Sequence, residues 1–553
     1  MVARLLLAAL SGGLIALSYP RWAIASASFV ALVPLLLALQ GTRPQRAFLL
    51  GWVAGCAMHL LALSWIFPAI GRFQELSAAG SLGYFLLFVG YQALPFALFA
   101  VVIAWLESAP EGGDSRIRPP RLISALIVAS AWVIAEWLLP RIIPWNLGDA
   151  LAPATWLRQA ADLVGVYGMS FVIVLVNALL AQACTPTNVQ YAVRARAFGA
   201  AAAVLALLVG YGIVRLSELA PASAMPAAND IVRVTIVQGN LPSGRKDLIS
   251  ANEAAWQTYS ELSVTGSGAD LLVWPETVLR VYLRGDAAYR ARLHDLALHL
   301  DTSLFVGALD VPLQPPGELN SGYLIQPREA AKFVRVVAGP DHHNDLQTYH
   351  KHWLLPFGEY VPGEFLLPVM NGWRTTGEFR HGGVGQLLTL TRHSDRTGAA
   401  PVVERGAGGS VGFAPSICFE AILPGVFNHT VRDGAGFLVN ITDDGWFGDT
   451  AGPYQHLAAA RLRAVETRRW LVRASNSGIS AYVDPTGEIV ASLGFGQTGV
   501  LSHGVELSHR LPPYVRFGNW PVWAAFVIVL AAAARKFAVA NTNRVAPVLM
   551  LEP

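Results

Sequence analysis

Three short segments of this 553-residue chain each end an apolar, β-prone run on an ionisable side chain. "LLVWPET" delivers Glu276 just after Pro275, where a strand must stop or bend. "TYHKHWLLPFGEY" delivers Lys351 and Glu359, and "PSICFE" delivers Cys418 and Glu420. Singly, each has an ordinary explanation. A Glu after Trp-Pro is commonly a turn residue, a Lys a solvated surface charge, and a free Cys a small packed hydrophobe. Together they form a chemical set. A thiol with a free pKa of about 8.5 is mostly protonated at neutral pH. A carboxylate within reach can take its proton. A lysine ammonium favours the thiolate and can bind the oxyanion formed when a carbonyl is attacked. Attack on an ester then yields a thioester, which splits one hard transfer into two easier ones.

Other chemistries are less well served. His342, His343, His350 and His352 could suggest a metal, but no HExxH-like carboxylate pattern accompanies them. In a strand, His350 and His352 share one face and Lys351 takes the other. There is no GxSxG elbow, no Walker loop and no GxGxxG after a strand. Cys56, Cys184 and Cys418 lie far apart without a CxxC pair, which argues against a disulfide framework or a thiolate metal site. Neither a metal nor a cofactor is expected. Asp443 and Asp444 in "NITDDGWFGDT" read as punctuation of a Gly-flanked turn, and Trp446 and Phe447 beside them as exposed candidates for touching an acyl chain.

The elements that must position these groups alternate. "RVTIVQGN" (233–240), "DLLVWPET" (270–277), "SLFVGALDV" (303–311), "GYLIQP" (322–327), "SVGFAPSICFE" (410–420) and "GFLVNITDD" (436–444) read as buried strands. Residues 248–264, 286–300 and 454–468 read as helices, so 230–507 is expected to be one α/β layered domain.

Around it the texture changes. Hydrophobic residues make up 54% of the chain and charged residues 14%. A helix of about 20 apolar residues spans a bilayer. Eight stretches approach that: 3–19, 22–40, 47–70, 83–106, 122–140, 162–183, 197–217 and 519–540. The expected plan is a seven-helix region in 1–220, the domain at 230–507, and an eighth helix within 515–541. A signal peptide is the alternative reading of 1–19, and its cleavage would not move the large domain. Basic residues sort the short loops: Arg4, Arg43, Arg46, Arg116, Arg118, Arg121, Arg194, Arg196, Arg535, Lys536 and Arg544 against Arg21, Arg72, Arg141 and Arg158. The richer set belongs in the cytoplasm, which puts both termini inside and the large domain outside. The net charge of +3 gives no sign of a nucleic-acid partner. In "EWLLPRIIPWNLG", Glu136 is expensive in hydrocarbon and Trp137 and Trp145 suit the headgroup level. An interfacial anchor and a lipid headgroup site both fit.

The ordered motifs "VQGN", "WPET", "YHKHWLLPFGEYVP", "SICFE", "NITDDGWFG" and "RASNSGIS" span the domain. With the helices around it, the chain resembles the bacterial apolipoprotein N-acyltransferases, whose outer domain belongs to the nitrilase (carbon–nitrogen hydrolase) superfamily. The resemblance implies an αββα sandwich with a Glu-Lys-Cys triad on Glu276, Lys351 and Cys418, and Glu359 as a supporting glutamate. Glu420 matches an acid of the motif after the cysteine. It also implies an inner-membrane enzyme, which moves an acyl chain from a phospholipid to a diacylglyceryl-modified apolipoprotein; a monomer is expected. Three positions depart from the family pattern: Trp353 follows His352 directly, Phe419 stands where many members carry Tyr, and Asp247 where a Trp is common.

Overall fold

The computed structural model describes residues 1–107, 121–185, 191–219, 230–242, 248–311, 317–327, 346–362, 379–391 and 409–545. His342, His343 and Asp247 lie outside them. The chain forms two compact units. The first comprises Met1–Gly71, Leu76–Glu218 and Phe517–Pro553, and the second Leu219–Arg516 with the short segment Arg72–Glu75.

The first unit is helical. Among the described residues, four helices are long and apolar enough to cross a membrane: Ala78–Glu107, Leu157–Cys184, Tyr191–Leu219 and Trp520–Ala538. A fifth arises if Pro44–Ala62 and Ile66–Gln74, bent by 69°, count as one span. Val2–Leu17, Ala25–Leu39 and Leu122–Leu138 are apolar but shorter than the span expected of them. Small residues let these helices approach closely: a Cβ on Gly12 would lie 2.2 Å from Ala54 O, and one on Gly51 2.3 Å from Phe96 O. Buried Asn177 satisfies a break in the helices, accepting from Leu32 N and donating to Ser28 O, each at 2.8 Å.

The second unit is built on two mixed sheets. The first runs β13-β1-β2-β4-β5-β6, with β3 beside β4. Its strands are β1 (Ile231–Gln238), β2 (Leu271–Val273), β3 (Leu279–Tyr282), β4 (Ser303–Asp310), β5 (Leu319–Ile325), β6 (Gln347–His350) and β13 (Gly499–Glu506). The second runs β12-β11-β10-β9-β8-β7. It comprises β7 (Leu388–Thr391), β8 (Ser410–Ile417), β9 (Phe437–Thr442), β10 (Leu471–Ser475), β11 (Ser480–Val483) and β12 (Ile489–Leu493). Central strands read as nearly continuous apolar runs because both their faces are covered. Val234, Ile236 and Phe305 of one sheet meet Phe413, Phe437 and Ile441 of the other. On the outer faces, Leu272, Trp274 and Val306 pack on Ala255, Tyr259 and Leu293, while Leu438 and Leu471 pack on Leu457, Ala460 and Ala464. The layers are helix, sheet, sheet, helix.

The flanking helices carry their own stops. Asp286 caps Ala287–Leu300 by accepting from Ala288 N and Tyr289 N. Thr450 caps Ala451–Thr467 by accepting from Gly452 N, and Arg468 ends that helix in the left-handed region with φ +51°.

Candidate active site

Glu276 stands three residues beyond β2, on a turn closed by Thr277 at φ +44°. That turn crosses β4 so closely that a Cβ on Gly307 would lie 2.2 Å from Pro275 O. Lys351 follows β6 directly, and its N–H donates to Asn320 O on β5 at 2.8 Å. Cys418 follows β8 and opens a 3-10 turn over Cys418–Ile422, with its own φ at +51°. Non-glycine residues in this region are uncommon, and they collect where a side chain must be presented against local preference.

Three of the predicted groups meet in hydrogen-bond contact. Lys351 Nζ donates to Glu359 Oε1 at 2.9 Å and to Glu276 Oε1 at 3.5 Å. Asn320 Nδ2 bridges the same two oxygens, at 2.7 Å from Glu276 and 3.3 Å from Glu359. Asp443 N donates to Glu276 Oε2 at 3.0 Å, and Leu355 N to Glu359 Oε2 at 2.8 Å. Lys351, Glu276 and Glu359 are all buried, whereas Cys418 is half-buried.

The electrostatics follow from this packing. Burial pushes Glu276 above the usual carboxylate range; Lys351 and Asn320 pull it back, and Glu359 and Asp443 push it further up. Burial opposes the Lys351 charge, but Glu359, Glu276 and the thiol outweigh that and hold the ammonium well above its ordinary value. Burial, then Glu276, pushes the Cys418 thiol well up, while Lys351 pulls it down. Thiol, carboxylate and ammonium therefore lie in one another's field.

Glu420 accepts from four groups. Its Oε1 accepts from His352 N at 2.8 Å and Trp353 N at 2.9 Å. Its Oε2 accepts from Ile417 N and Tyr349 Oη, both at 2.8 Å. One carboxylate thus ties the Lys351 segment to the Cys418 segment. Phe419 is buried in the same turn.

Asp443 and Asp444, expected to punctuate a turn, do more. Asp443 caps the 3-10 turn Asp444–Phe447, accepting from Gly445 N at 3.1 Å. Asp444 is fully buried and takes Arg473 Nη2 at 2.6 Å and His456 Nδ1 at 2.9 Å. Burial alone would raise its carboxyl, yet Arg473 and His456 hold it far below the usual range. Trp446 and Phe447 are half-buried rather than exposed, and their carbonyls accept from Arg72 Nη2 at 3.3 and 2.9 Å. His350 and His352 have separate partners, Ser321 Oγ at 2.8 Å and Gly382 O at 2.7 Å. The β6 strand ends at His350, so the alternation expected through Lys351 and His352 stops before them.

Glu136 and Trp145 lie in the first unit, and both are buried. Glu136 Oε1 accepts from Leu147 N at 2.7 Å, and the Trp145 ring meets Tyr19 edge-on at 6.0 Å. Of the two tryptophans only Trp137 has an anchor's exposure, at 36%.

The sequence motifs include neither Asn320 nor His456, and Arg473 is marked only as the first residue of "RASNSGIS". A polar pair inside the apolar strand "LNSGYLI" was the available sign of Asn320. His456 and Arg473 sit in a helix and a strand with no local sign of a common partner.

This site geometry belongs with the sequence comparisons. The family model described as Carbon-nitrogen hydrolase matches residues 233–510, which makes the second unit a domain of that class. The model described as Apolipoprotein N-acyltransferase N-terminal domain matches residues 11–179. A protein from Geobacter metallireducens named apolipoprotein N-acyltransferase is 33% identical over 96% of this chain and 95% of its own length. One of the same name from Rhodopseudomonas palustris is 33% identical over 75% of each chain. A solved carbon–nitrogen hydrolase superfamily protein from Xanthomonas campestris is 16% identical, with a TM-score of 0.35, over 52% of this chain and 95% of its own. The chain belongs to the apolipoprotein N-acyltransferase family.

Proposed function

We propose that the protein transfers an acyl chain from a membrane phospholipid to the N-terminal amine of a diacylglyceryl-cysteine apolipoprotein, through a thioester on Cys418. In the first half, Glu276 takes the thiol proton and the sulfur attacks the ester carbonyl, by family implication the sn-1 ester of phosphatidylethanolamine. Lys351 steadies the oxyanion. The ester C–O bond breaks, and the proton passes from Glu276 to the departing lysophospholipid oxygen. In the second half, the α-amine attacks the thioester carbonyl, the C–S bond breaks, and the amine proton returns through Glu276 to the sulfur. Glu359 supports Lys351, and Glu420 holds the two loops in register. Trp446, Phe447 and Phe419 are assigned to the acyl chain, and Glu136 with Trp145 to a lipid headgroup.

The observation that carries this reading is the buried Glu276–Lys351–Glu359 cluster coupled to a half-buried thiol at a left-handed turn. The distribution of basic residues supports cytoplasmic termini and a catalytic domain on the outer face of a bacterial inner membrane, and the chain is read as a monomer with eight crossings. Both substrates are then anchored in the leaflet the site faces. Drawing an acyl chain into water would cost about 0.8 kcal/mol per methylene, so a membrane-mounted site avoids a large penalty.

The test incubates purified protein with phospholipid vesicles and examines the Cys418 peptide by mass spectrometry. An acyl adduct is expected, discharged by a diacylglyceryl-cysteine peptide with formation of the N-acyl product. An unmodified Cys418 in a protein that hydrolyses small amides would reassign it as a membrane-tethered carbon–nitrogen hydrolase.

A further inference from the structure

The acyl transfer described above uses the Cys418 side chain and leaves its backbone unexplained. Cys418 lies past the last ladder pair of β8 and β9, Ile417 with Ile441, so its carbonyl has no strand partner there. Two side chains take that place: His456 Nε2 at 3.1 Å and Asn440 Nδ2 at 3.4 Å. His456 is buried on the Ala451–Thr467 helix, and its other nitrogen, Nδ1, meets Asp444 Oδ1 at 2.9 Å. Asp444 also accepts from Thr442 Oγ1 at 3.0 Å and from Arg473. A backbone carbonyl can only accept, and so can an ionised carboxylate. The contact to the Cys418 carbonyl therefore makes Nε2 the donor, an assignment that follows from the partner. The ring is fixed from behind by the Asp444–Arg473 pair and grips the backbone of the residue at φ +51°.

We propose that His456 is a positioning residue for Cys418: its Nε2 donates to the Cys418 carbonyl and holds the left-handed turn that presents the thiol, while Asp444 fixes the ring. The proposal rests on the reading of Cys418 as the nucleophile. Asn440 shares the carbonyl at a longer distance and is itself tied to Ser416 Oγ at 3.0 Å, so His456 makes the shorter of the two contacts.

Two near-isosteric substitutions separate the two ring bonds. His456→Gln keeps a donor near Nε2 and gives up the Asp444 contact. His456→Asn keeps a donor near Nδ1 and gives up the Cys418 carbonyl. Full-length protein is treated with iodoacetamide at fixed pH, and alkylation of Cys418 is followed by peptide-resolved mass spectrometry. Acyl-enzyme formation from phospholipid vesicles is followed in parallel. The Asn variant is expected to react about 10- to 100-fold more slowly in both assays, the range of one lost buried hydrogen bond, with an unchanged KM for the lipid. The Gln variant is expected to stay within about threefold of the parent, since the bond to the carbonyl survives. A merely structural histidine predicts the same loss from both, because each removes one of two buried bonds. Equal slowing, or an Asn variant as fast as the parent, overturns the proposal. If the Asn variant does not fold, His456→Leu lacks both donors and must show the same slowing; parental reactivity there also overturns it. A parent protein whose Cys418 alkylates no faster than Cys56 would instead sink the nucleophile reading, before any variant is made.

Discussion

Replacing Glu276 with Gln removes the base proposed above and leaves nearly everything else. The side chain keeps its volume, and Lys351 keeps Glu359 at 2.9 Å, so no buried cation is stranded. Positioned general bases contribute about 10²- to 10⁴-fold in rate. At about 1.36 kcal/mol per decade, that is about 2.7–5.4 kcal/mol of barrier. The stability change should be far smaller, because two effects oppose each other. An amide oxygen can still face Asn320 Nδ2 and Lys351 Nζ, but the amide nitrogen then faces Asp443 N, leaving a buried donor unpaired at about 1–3 kcal/mol. Against this, the folded state no longer carries a second buried carboxylate. Glu276 lies above its ordinary pKa, so its contribution to stability is fully present below the unfolded value, near 4.3, and lost as pH rises through the folded one. The neutral amide escapes that loss at neutral pH. The melting midpoint of Glu276→Gln should therefore stay within about 5 °C of the parent, at roughly 2–4 °C per kcal/mol. The assay is a quench-flow burst of acyl-Cys418 from labelled phospholipid, read beside a thermal melt. A burst at the parental rate in a normally folded variant refutes the assignment of Glu276 as the base.

Three further outcomes follow from the same contacts. Glu420→Gln turns an amide nitrogen toward donors on one side of the carboxylate, so it should lose about 2–5 kcal/mol of stability in denaturant melts, whereas Tyr349→Phe removes one hydroxyl bond and should lose about 1. Gly307→Ala places a methyl 2.2 Å from Pro275 O, so it should displace Glu276 and cut both the acylation burst and the iodoacetamide reaction at Cys418 by at least about tenfold. The acid limb of the pH–rate profile should lie above the ordinary glutamate value of about 4.3, because Glu276 must be ionised and its pKa is raised. Glu359→Gln removes one of the charges that raise it, so that limb should move to lower pH; an unmoved limb would show that another group sets it.

Much of the second unit was readable because its strands are buried on both faces and therefore appear as apolar runs. "RVTIVQGN" overlaps β1, "SLFVGALDV" contains β4 and "GFLVNITDD" contains β9, each within a few residues of its expected bounds. The ends of such runs pointed to Glu276, Lys351 and Cys418. Contacts closed by tertiary structure were not readable. Asp444 looks like turn chemistry because Gly445 follows it, and its partners arrive 12 and 29 residues later. Asn320 bridges two glutamates 44 residues before and 39 residues after it. Gly307 left a fainter trace: a glycine within a strand marks close approach of another backbone, but not which one. In the first unit, composition located apolar segments and could not fix their lengths. Residues 3–19 were expected to span, whereas the helix there, Val2–Leu17, has 16 residues.

The charge inventory of the cluster explains why two glutamates serve one lysine. A lysine paired with Glu276 alone would clamp that carboxylate as an ion pair and lower its basicity, which suits stability and not proton abstraction. Glu359 sits nearer the ammonium, at 2.9 Å against 3.5 Å, and takes the larger share of its field. Glu276 is left ionisable but basic. With both carboxylates charged and the thiol neutral, the cluster carries one net negative charge. A thiolate formed by loss of a proton to solvent would make it two, in a buried setting where like charges repel strongly. Transfer of that proton to Glu276 keeps the total at one. Burial and Glu276 both act against an isolated Cys418 thiolate, so in the proposed mechanism the sulfur becomes a nucleophile as its proton moves to Glu276 and an electrophile receives the electron pair. This coupling favours a thioester that must wait for a second, membrane-anchored partner.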